Sequence, residues 1–188
     1  MKKTILFALC CCVLLPLASQ EKKEQEKKTV PAIVIPNGDM KLPGKTKIQG
    51  KEVDFVKNWA AYGPGWSVTK NDSDSYDVHT KGCFEGGFGV PKGCPEGYDY
   101  KLTVTAKGKS LALRTWSWEG YKPRTNHRRL SLPVKYKLTD EFKEYVFTFP
   151  CLPKEAYMVL WIDGDKTIRS VKCELVPAEA KKEETVKK

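Results

Sequence analysis

The residues best suited to chemistry lie in LALRTWSWEG, residues 111–120, where apolar side chains alternate with polar or aromatic ones. If the two leucines of this strand-like stretch face a core, Arg114, Trp116 and Trp118 share the opposite face. An indole offers a flat apolar surface with a negative quadrupole, which suits the C–H face of a pyranose ring. A guanidinium donates paired hydrogen bonds to hydroxyls, a uronate or a sulfate. The spacing therefore predicts a saccharide-binding face, with Arg114 and Glu119 bonding sugar hydroxyls.

Two interpretations of these tryptophans stay open. An exposed row of aromatic side chains is typical of a binding surface, and a β-sandwich has only one core in which to bury them. The alternative is that a following loop covers Trp116 and Trp118, or that they belong to a second core.

Further aromatic residues lie in NWAAYGPGWS, residues 58–67. Tyr62 and Trp66 flank Gly-Pro-Gly, so they form either the rim of a ligand site or the contacts that hold a loop against the sandwich. We expect Trp59 in the core, and also Trp161, because its segment is apolar on both faces.

A basic segment, GYKPRTNHRRL, follows the tryptophan strand directly. It is either a solubilising loop or the edge of the site, where Arg124 and His127 would select an acidic polysaccharide. His127 beside Tyr121 or Tyr136 also suggests a lyase, in which a base removes a proton next to a neutralised uronate. The basic residues of the segment are Lys122, Arg124, His127, Arg128 and Arg129.

Short strands account for the whole central region, and no segment has a sustained helical period. Apolar and polar residues alternate in most of the strands, whereas AYMVLWI is apolar on both faces and is predicted to be a central strand. Turn residues separate the runs, which favours an all-β sandwich. The predicted strands are residues 98–106, 111–118, 143–149, 156–162 and 167–176, with weaker ones at 52–57, 65–69, 75–80 and 133–138.

Several of these segments resemble carbohydrate-binding modules of the family 4 and 9 type. PNGDMKL is similar to their opening, YDYKLTVTAKGKSLALRTW to their central hairpin, and LTDEFKEYVFTF to a strand in which Phe142 replaces the usual Trp. IRSVKCELV is similar to their closing strand, although Arg169 and Ser170 stand where the family has acids. The resemblance covers residues 36–176.

The resemblance implies a jelly-roll β-sandwich of the galactose-binding type, with two antiparallel sheets, that binds polysaccharide without catalysis. It also implies a structural calcium near Asn37 and Asp39, for which a plain Asx-turn is the alternative. We expect no other cofactor. Calcium binding and a plain Asx-turn are also the alternatives for the acidic loop NDSDSYD, which lacks the EF-hand spacing.

The two ends of the chain differ in composition from the centre. Residues 1–19 have a basic start and a short apolar run, which predicts a secretory signal peptide. Lipidation is the weaker prediction, because leucine precedes the first cysteine. Residues 20–35 are predicted to be a charged flexible spacer, and residues 177–188 a disordered charged tail. We therefore expect a secreted, periplasmic or envelope protein.

Four cysteines follow the predicted signal peptide, and an even number in an exported chain suggests disulfides. We expect Cys83 to pair with Cys94, closing a glycine-rich loop, and Cys151 to pair with Cys173. Four free thiols are the alternative. The chain has no C-x-x-C pair, so the spacing does not suggest zinc.

The formal net charge is +10, or +8 without the two lysines of the predicted signal peptide. Such a charge most often marks a solvated face, and the alternative is an acidic partner such as an anionic polysaccharide or a membrane surface. Nucleic acid is not expected in an exported chain without a recognition motif, and no run outside the predicted signal peptide is long enough to span a bilayer. We expect a monomer that binds glycan. The competing hypotheses are a small lyase or glycoside hydrolase on the same fold, and a structural or adhesion module of the cell envelope.

Overall fold

The computed structural model describes residues 30–48, 51–90, 93–119 and 127–178. The regular elements among these residues are β-strands, and none of these residues lies in a helix that could span a membrane. The strands are β1 (Pro43–Ile48), β2 (Lys51–Val56), β3 (Trp59–Tyr62), β4 (Ser67–Lys70), β5 (Tyr76–Thr80), β6 (Cys83–Gly89), β7 (Tyr98–Gly108), β8 (Ser110–Glu119), β9 (His127–Lys137), β10 (Lys143–Pro150), β11 (Glu155–Asp163) and β12 (Lys166–Pro177).

Two antiparallel sheets of five strands each pack face to face as a jelly-roll sandwich, as predicted. The first sheet has the order β10-β7-β12-β5-β4, and the second has the order β3-β6-β11-β8-β9. β1 and β2 form a separate hairpin. β11 is the central strand of the second sheet, which confirms the prediction made from its two apolar faces. Each predicted strand is present, whereas β1, β3 and β6 were not predicted.

The core lies between the inner faces of the two sheets. Tyr100, Leu102 and Val104 of β7 are fully buried, and so are Leu111 and Leu113 of β8. The alternation in these two strands therefore has the predicted phase, with both leucines of LALRTWSWEG in the core. The arginine and the two tryptophans of that stretch consequently lie on the outer face of the second sheet.

The glycine-rich segment CFEGGFG, predicted to be a loop, is β6 of the second sheet. Phe84 and Phe88 point into the core. A Cβ atom on Gly86 would lie 2.4 Å from the ring of Trp59, so only glycine lets that indole cross the strand. Trp59 is buried, as predicted, and stacks on Phe84 with 4.5 Å between ring centroids.

The strand conformation of β6 also overturns the predicted disulfides. Cys94 pairs with Cys151, with 5.9 Å between their Cα atoms, whereas Cys83 and Cys173 are free. An extended strand of seven residues spans about 20 Å, which carries Cys83 far from Cys94. The end of β10 instead lies opposite the start of β7, with Pro150 paired to Asp99, and this register brings Cys151 close to the residues that precede β7.

The packed region begins earlier than residue 36. Ile35 belongs to the core cluster, and Ile33 packs against it, although both lie in the predicted spacer. Asn37 adopts a left-handed backbone conformation with φ of 53°. Its amide donates to the carbonyl oxygens of Leu42 and Lys57 at 3.0 and 2.9 Å, and its Oδ1 accepts from Leu42 N at 2.8 Å.

Candidate functional site

The candidate site is built by the pairing of β8 with β11. This register sets Trp118 opposite Tyr157, and Arg114 opposite Trp161. Because residues directly opposite each other in an antiparallel pair point to the same side of the sheet, their side chains share the outer face. We define the aromatic face as the rings on this side of the two strands, namely Trp116, Trp118, Tyr157 and Trp161.

The four rings of the aromatic face touch one another in a continuous row. Trp118 stacks on Tyr157 with ring centroids 4.8 Å apart, and Trp116 lies edge-on to Trp118 at 5.9 Å. Trp161 follows, with its centroid 5.8 Å from that of Trp116. All four side chains are partly exposed. The strand positions from Trp118 to Arg114 span roughly 13 Å, so the row can underlie more than a single sugar ring.

β6 borders this row with glycines. Gly89 pairs with Tyr157, and Gly87 pairs with Val159, so neither position adds a side chain to the outer face. A Cβ atom on Gly87 would lie 2.5 Å from the Tyr157 hydroxyl oxygen, which shows that the phenol lies across the backbone there. On its β6 side the aromatic face therefore packs directly on the backbone of Gly87, with no side chain in between.

Charged groups hold the Trp161 end of the row. Arg114 lies over the Trp161 ring at 4.9 Å and donates two hydrogen bonds to Asp163, from Nε to Oδ2 at 2.6 Å and from Nη2 to Oδ1 at 2.9 Å. Trp161 Nε1 donates to Glu85 Oε2 at 2.8 Å. These contacts fix the indole in place, but they also engage the fork of Arg114 with a carboxylate of the chain itself.

A shallow depression of about 230 Å³ lies at this end of the row. Tyr62 and Cys83 line it together with Glu85, Arg114 and Trp161. Burial, and then the charge of Glu85, raises the pKa of Tyr62, so its hydroxyl keeps its proton and can donate a hydrogen bond. Burial also raises the pKa of the Cys83 thiol to about 12, which leaves it protonated and a poor nucleophile.

β9 forms the other border of the aromatic face. Arg129 pairs with Trp116 in the strand register, and its guanidinium lies over that indole at 4.7 Å. The backbone of His127 pairs with Trp118, but the side chain of His127 lies outside the described part of the structure. Arg124 and Tyr121 also lie outside it, as does the loop that would cover the tryptophans.

Other predicted site residues are placed elsewhere. Trp66 packs edge-on against Phe55 at 5.6 Å, next to the first sheet, so it does not join Tyr62 at one rim. Tyr136 pairs with Leu111 on the core side and donates its hydroxyl to the Val146 carbonyl oxygen at 2.5 Å. Glu119 ends β8 and is partly buried.

The sequence interpretation missed half of the aromatic face. Trp161 was expected in the core, yet it is partly exposed on the outer side of β11 together with Tyr157. Met158, Leu160 and Ile162 take the core instead. The signal was present, because the alternate positions of AYMVLWI separate these aliphatic side chains from the aromatic ones.

A buried carboxylate anchors the strands beneath the Trp118 end of the row. Glu155 accepts hydrogen bonds from the Ser117 hydroxyl, from Arg128 Nη2 at 2.7 Å and from Leu152 N at 3.1 Å. Arg128 also donates to the Pro150 carbonyl oxygen at 2.8 Å. The cluster joins β8, β9 and the segment before β11, so it positions the backbone that carries the aromatic face.

The predicted calcium site stays a prediction. The side chain of Asn37 is engaged with backbone groups, and Asp39 lies 3.7 Å from the Lys41 ammonium. In the described ranges, no group of three or more His, Cys, Asp or Glu residues could hold a metal ion. The acidic loop contains the expected Asx-turn, since Asn71 Oδ1 accepts from the backbone N of Ser73 at 3.0 Å.

The sequence matches no family model and no curated protein. Several solved structures are similar to the chain, and carbohydrate-binding modules are among them. The CBM22-1 xylan-binding domain of Paenibacillus barcinonensis Xyn10C matches with a TM-score of 0.43 and 12% identity, over 66% of this chain and 89% of that one. The CBM6-3 module of Clostridium stercorarium, solved with cellobiose, has a TM-score of 0.39 and 10% identity, over 66% and 91%.

A third similar structure is the enzymatically active domain of bacteriophage CBA120 tailspike protein 4. Its TM-score is 0.42 and its identity 11%, over 77% of this chain but only 22% of the tailspike chain. Similarity at these TM-scores identifies neither a family nor a ligand. The resemblance to family 4 and 9 modules therefore stays a prediction.

Proposed function

We propose that this protein binds polysaccharide without catalysis, by stacking sugar rings on the aromatic face. The observation that carries the proposal is the row of four touching, partly exposed rings on the outer side of one sheet. A solvated sheet face usually carries polar side chains, and a contiguous exposed apolar patch usually marks a binding site.

The rings are already fixed before a ligand arrives. Trp118 and Tyr157 hold each other by stacking, while Arg129 and Arg114 brace Trp116 and Trp161. Little side-chain entropy is then lost on binding, which supports recognition of a flexible polymer. The adjoining depression is shallow, so we expect modest, enthalpy-driven affinity with water retained at the interface.

The polar groups of this face support binding rather than acid–base chemistry. Asp163 is held by Arg114, and Glu85 accepts from the Trp161 indole. Tyr136, a candidate partner of His127 in a lyase, is on the core side of β9. The Cys94–Cys151 disulfide supports the further proposal that the protein works in an oxidising space outside the cytoplasm.

Calorimetry and affinity electrophoresis against a panel of soluble polysaccharides test this function. We expect Trp118→Ala and Trp161→Ala each to weaken binding about tenfold or more, because each removes a large stacking surface. Trp66→Ala is the matched control, since it removes a partly buried indole that lies away from the aromatic face.

Two results would contradict the proposal. One is that no polysaccharide in the panel is bound by the intact protein. The other is that a folded Trp118→Ala/Trp161→Ala double variant binds as tightly as the parent, with circular dichroism used to confirm the fold.

A further inference from the structure

We propose that the aromatic face takes an acidic glycan, whose uronate carboxylate or sulfate ester is bound by Arg129. This inference rests on the proposed function, because it names the class of polysaccharide for the same face. The chemistry shared by the two ligands is a negatively charged group with several oxygen acceptors.

Arg129 differs from the other arginines in the described part of the chain. Arg114 is paired with Asp163, Arg128 with Glu155, and Arg169 with Asp77. Arg129 is exposed, and no carboxylate among the described residues forms an ion pair with it. The described part of the structure therefore leaves its hydrogen-bond donors available to a ligand.

The position of Arg129 directs those donors toward the site. Its guanidinium lies over the Trp116 ring at 4.7 Å, and this cation–π contact places the group at the aromatic face. The N–H groups of a guanidinium point outward in the plane of the group and form a rigid fork. A sugar ring stacked on neighbouring Trp118 would bring its acidic substituent against the edge of this fork.

The charges of the face favour one orientation of the ligand. At the Trp161 end, Glu85 adds a negative charge, and Arg114 is neutralised by Asp163. Arg129, at the β9 border, lies against a ring of the aromatic face and has no ion-pair partner among the described residues. An acidic group is therefore attracted to the β9 border, while the Glu85 end is suited to neutral hydroxyl groups.

Matched polymers separate acid recognition from sugar recognition. Calorimetry compares polygalacturonate with its methyl ester, and dextran sulfate with dextran, at physiological salt, which screens non-specific charge attraction. We expect the charged member of at least one pair to bind at least about tenfold more tightly than its neutral counterpart. The pair that shows the difference tells a carboxylate ligand from a sulfate ligand.

Variants then assign the preference to one side chain. Arg129→Gln should bring the affinity ratio within that pair close to one, whereas Arg129→Lys should keep part of it, because it retains the charge and loses the fork. Lys135→Gln is the matched control, since it removes one exposed positive charge from the same strand, opposite Ala112 and away from the rings. Its ratio should stay at the parent value.

The outcomes separate this inference from the proposed function. Neutral members that bind as tightly as charged ones would overturn the inference and leave polysaccharide binding standing. An equal fall of the ratio in Arg129→Gln and Lys135→Gln would also overturn it, because bulk charge would explain both. If neither these polymers nor the wider panel is bound, the proposed function fails and the inference fails with it.

Discussion

At the scale of single residues, glycine shapes the candidate site as much as tryptophan does. Gly86 and Gly87 are adjacent in β6 and face opposite sides of the sheet. A Cβ atom would lie 2.4 Å from the Trp59 ring at the first and 2.5 Å from the Tyr157 hydroxyl oxygen at the second. One strand thus makes room for a core indole on one side and for a ring of the aromatic face on the other.

Substitution by alanine should affect stability at Gly86 and glycan binding at Gly87. Gly86→Ala should destabilise the protein by about 1–3 kcal/mol, because the Trp59 ring is packed on Phe84 and cannot move aside. Gly87→Ala should change stability by less than about 1 kcal/mol, because Tyr157 is partly exposed and can shift. It should instead weaken glycan binding. Urea denaturation and calorimetry measure the two quantities.

Each variant is the control for the other in this pair. Equal losses of stability in both would show that glycine matters only for the strand itself, contrary to our prediction. If glycan affinity is unchanged in Gly87→Ala, the position of Tyr157 does not matter for glycan binding, contrary to our prediction.

At the scale of elements, one end of the sandwich is held by two kinds of link. The Cys94–Cys151 disulfide joins the segment before β7 to the segment after β10. Next to it, Glu155 ties β8 to β9 through Ser117 and Arg128. These links lie beneath the Trp118 end of the row, where the aromatic face needs its backbone fixed.

The disulfide should contribute substantially to stability because it closes a long loop. Its cysteines are 57 positions apart, for which the chain-entropy model gives about 4 kcal/mol. Cys94→Ser/Cys151→Ser should therefore lower the urea midpoint, and reductant should have the same effect on the parent protein.

The free cysteines supply the control for the disulfide. Cys83 is not part of the disulfide, so the unfolding of the Cys83→Ser variant should respond to reductant as that of the parent protein does. A double serine variant as stable as the parent, or a parent indifferent to reductant, would contradict the pairing.

At the scale of the whole molecule, stability should depend on pH through a buried lysine. The Lys166 side chain is fully buried, and its Nζ donates to the carbonyl oxygens of Gly82 at 2.6 Å and Gly164 at 3.2 Å. Burial lowers the pKa of Lys166 to about 8, although Cys83, Asp163 and Asp165 oppose the shift. At neutral pH, a charged Lys166 therefore lowers the free energy of unfolding by about 3 kcal/mol, compared with a lysine that keeps its ordinary pKa in the folded chain.

The direction of the pH effect follows from proton counting. Between pH 8 and about 10.5, the unfolded chain keeps a proton on Lys166 that the folded chain has lost, so the free energy of unfolding rises with pH. Burial raises the pKa of the thiols of Cys83 and Cys173 to about 12. Above pH 9 the unfolded thiols ionise first, which makes stability fall. We therefore expect a rise from pH 8 to 9 that weakens or reverses above it.

Urea denaturation at a series of pH values measures this profile. Lys166→Met should abolish the rise between pH 8 and 9, whereas Cys83→Ala/Cys173→Ala should extend it toward pH 10. The lysine assignment is wrong if the slope between pH 8 and 9 is the same in Lys166→Met and in the parent.

Much of the fold could be predicted from local patterns, but only part of the candidate site could. Alternation in β7 and β8 predicted which residues enter the core and therefore that Trp116 and Trp118 face outward. The alternation could not assign β6, because glycines are unfavourable in isolated strands. The glycines of β6 are compatible with the fold because aromatic rings pack across them. Trp161 was misplaced because its strand is apolar on both faces, and hydrophobicity alone does not distinguish the aromatic side from the aliphatic side that enters the core.

The sequence by itself determined the all-β class, the central position of β11 and the side of β8 on which Arg114, Trp116 and Trp118 lie. Those properties follow from the period of two in a single strand, which is a local property of the chain. Only the tertiary structure decided that Tyr157 and Trp161 complete the aromatic face, that Asp163 engages Arg114, and that Cys94 meets Cys151. These depend on the register between strands distant in sequence, which is set by packing of the whole core rather than by any one segment.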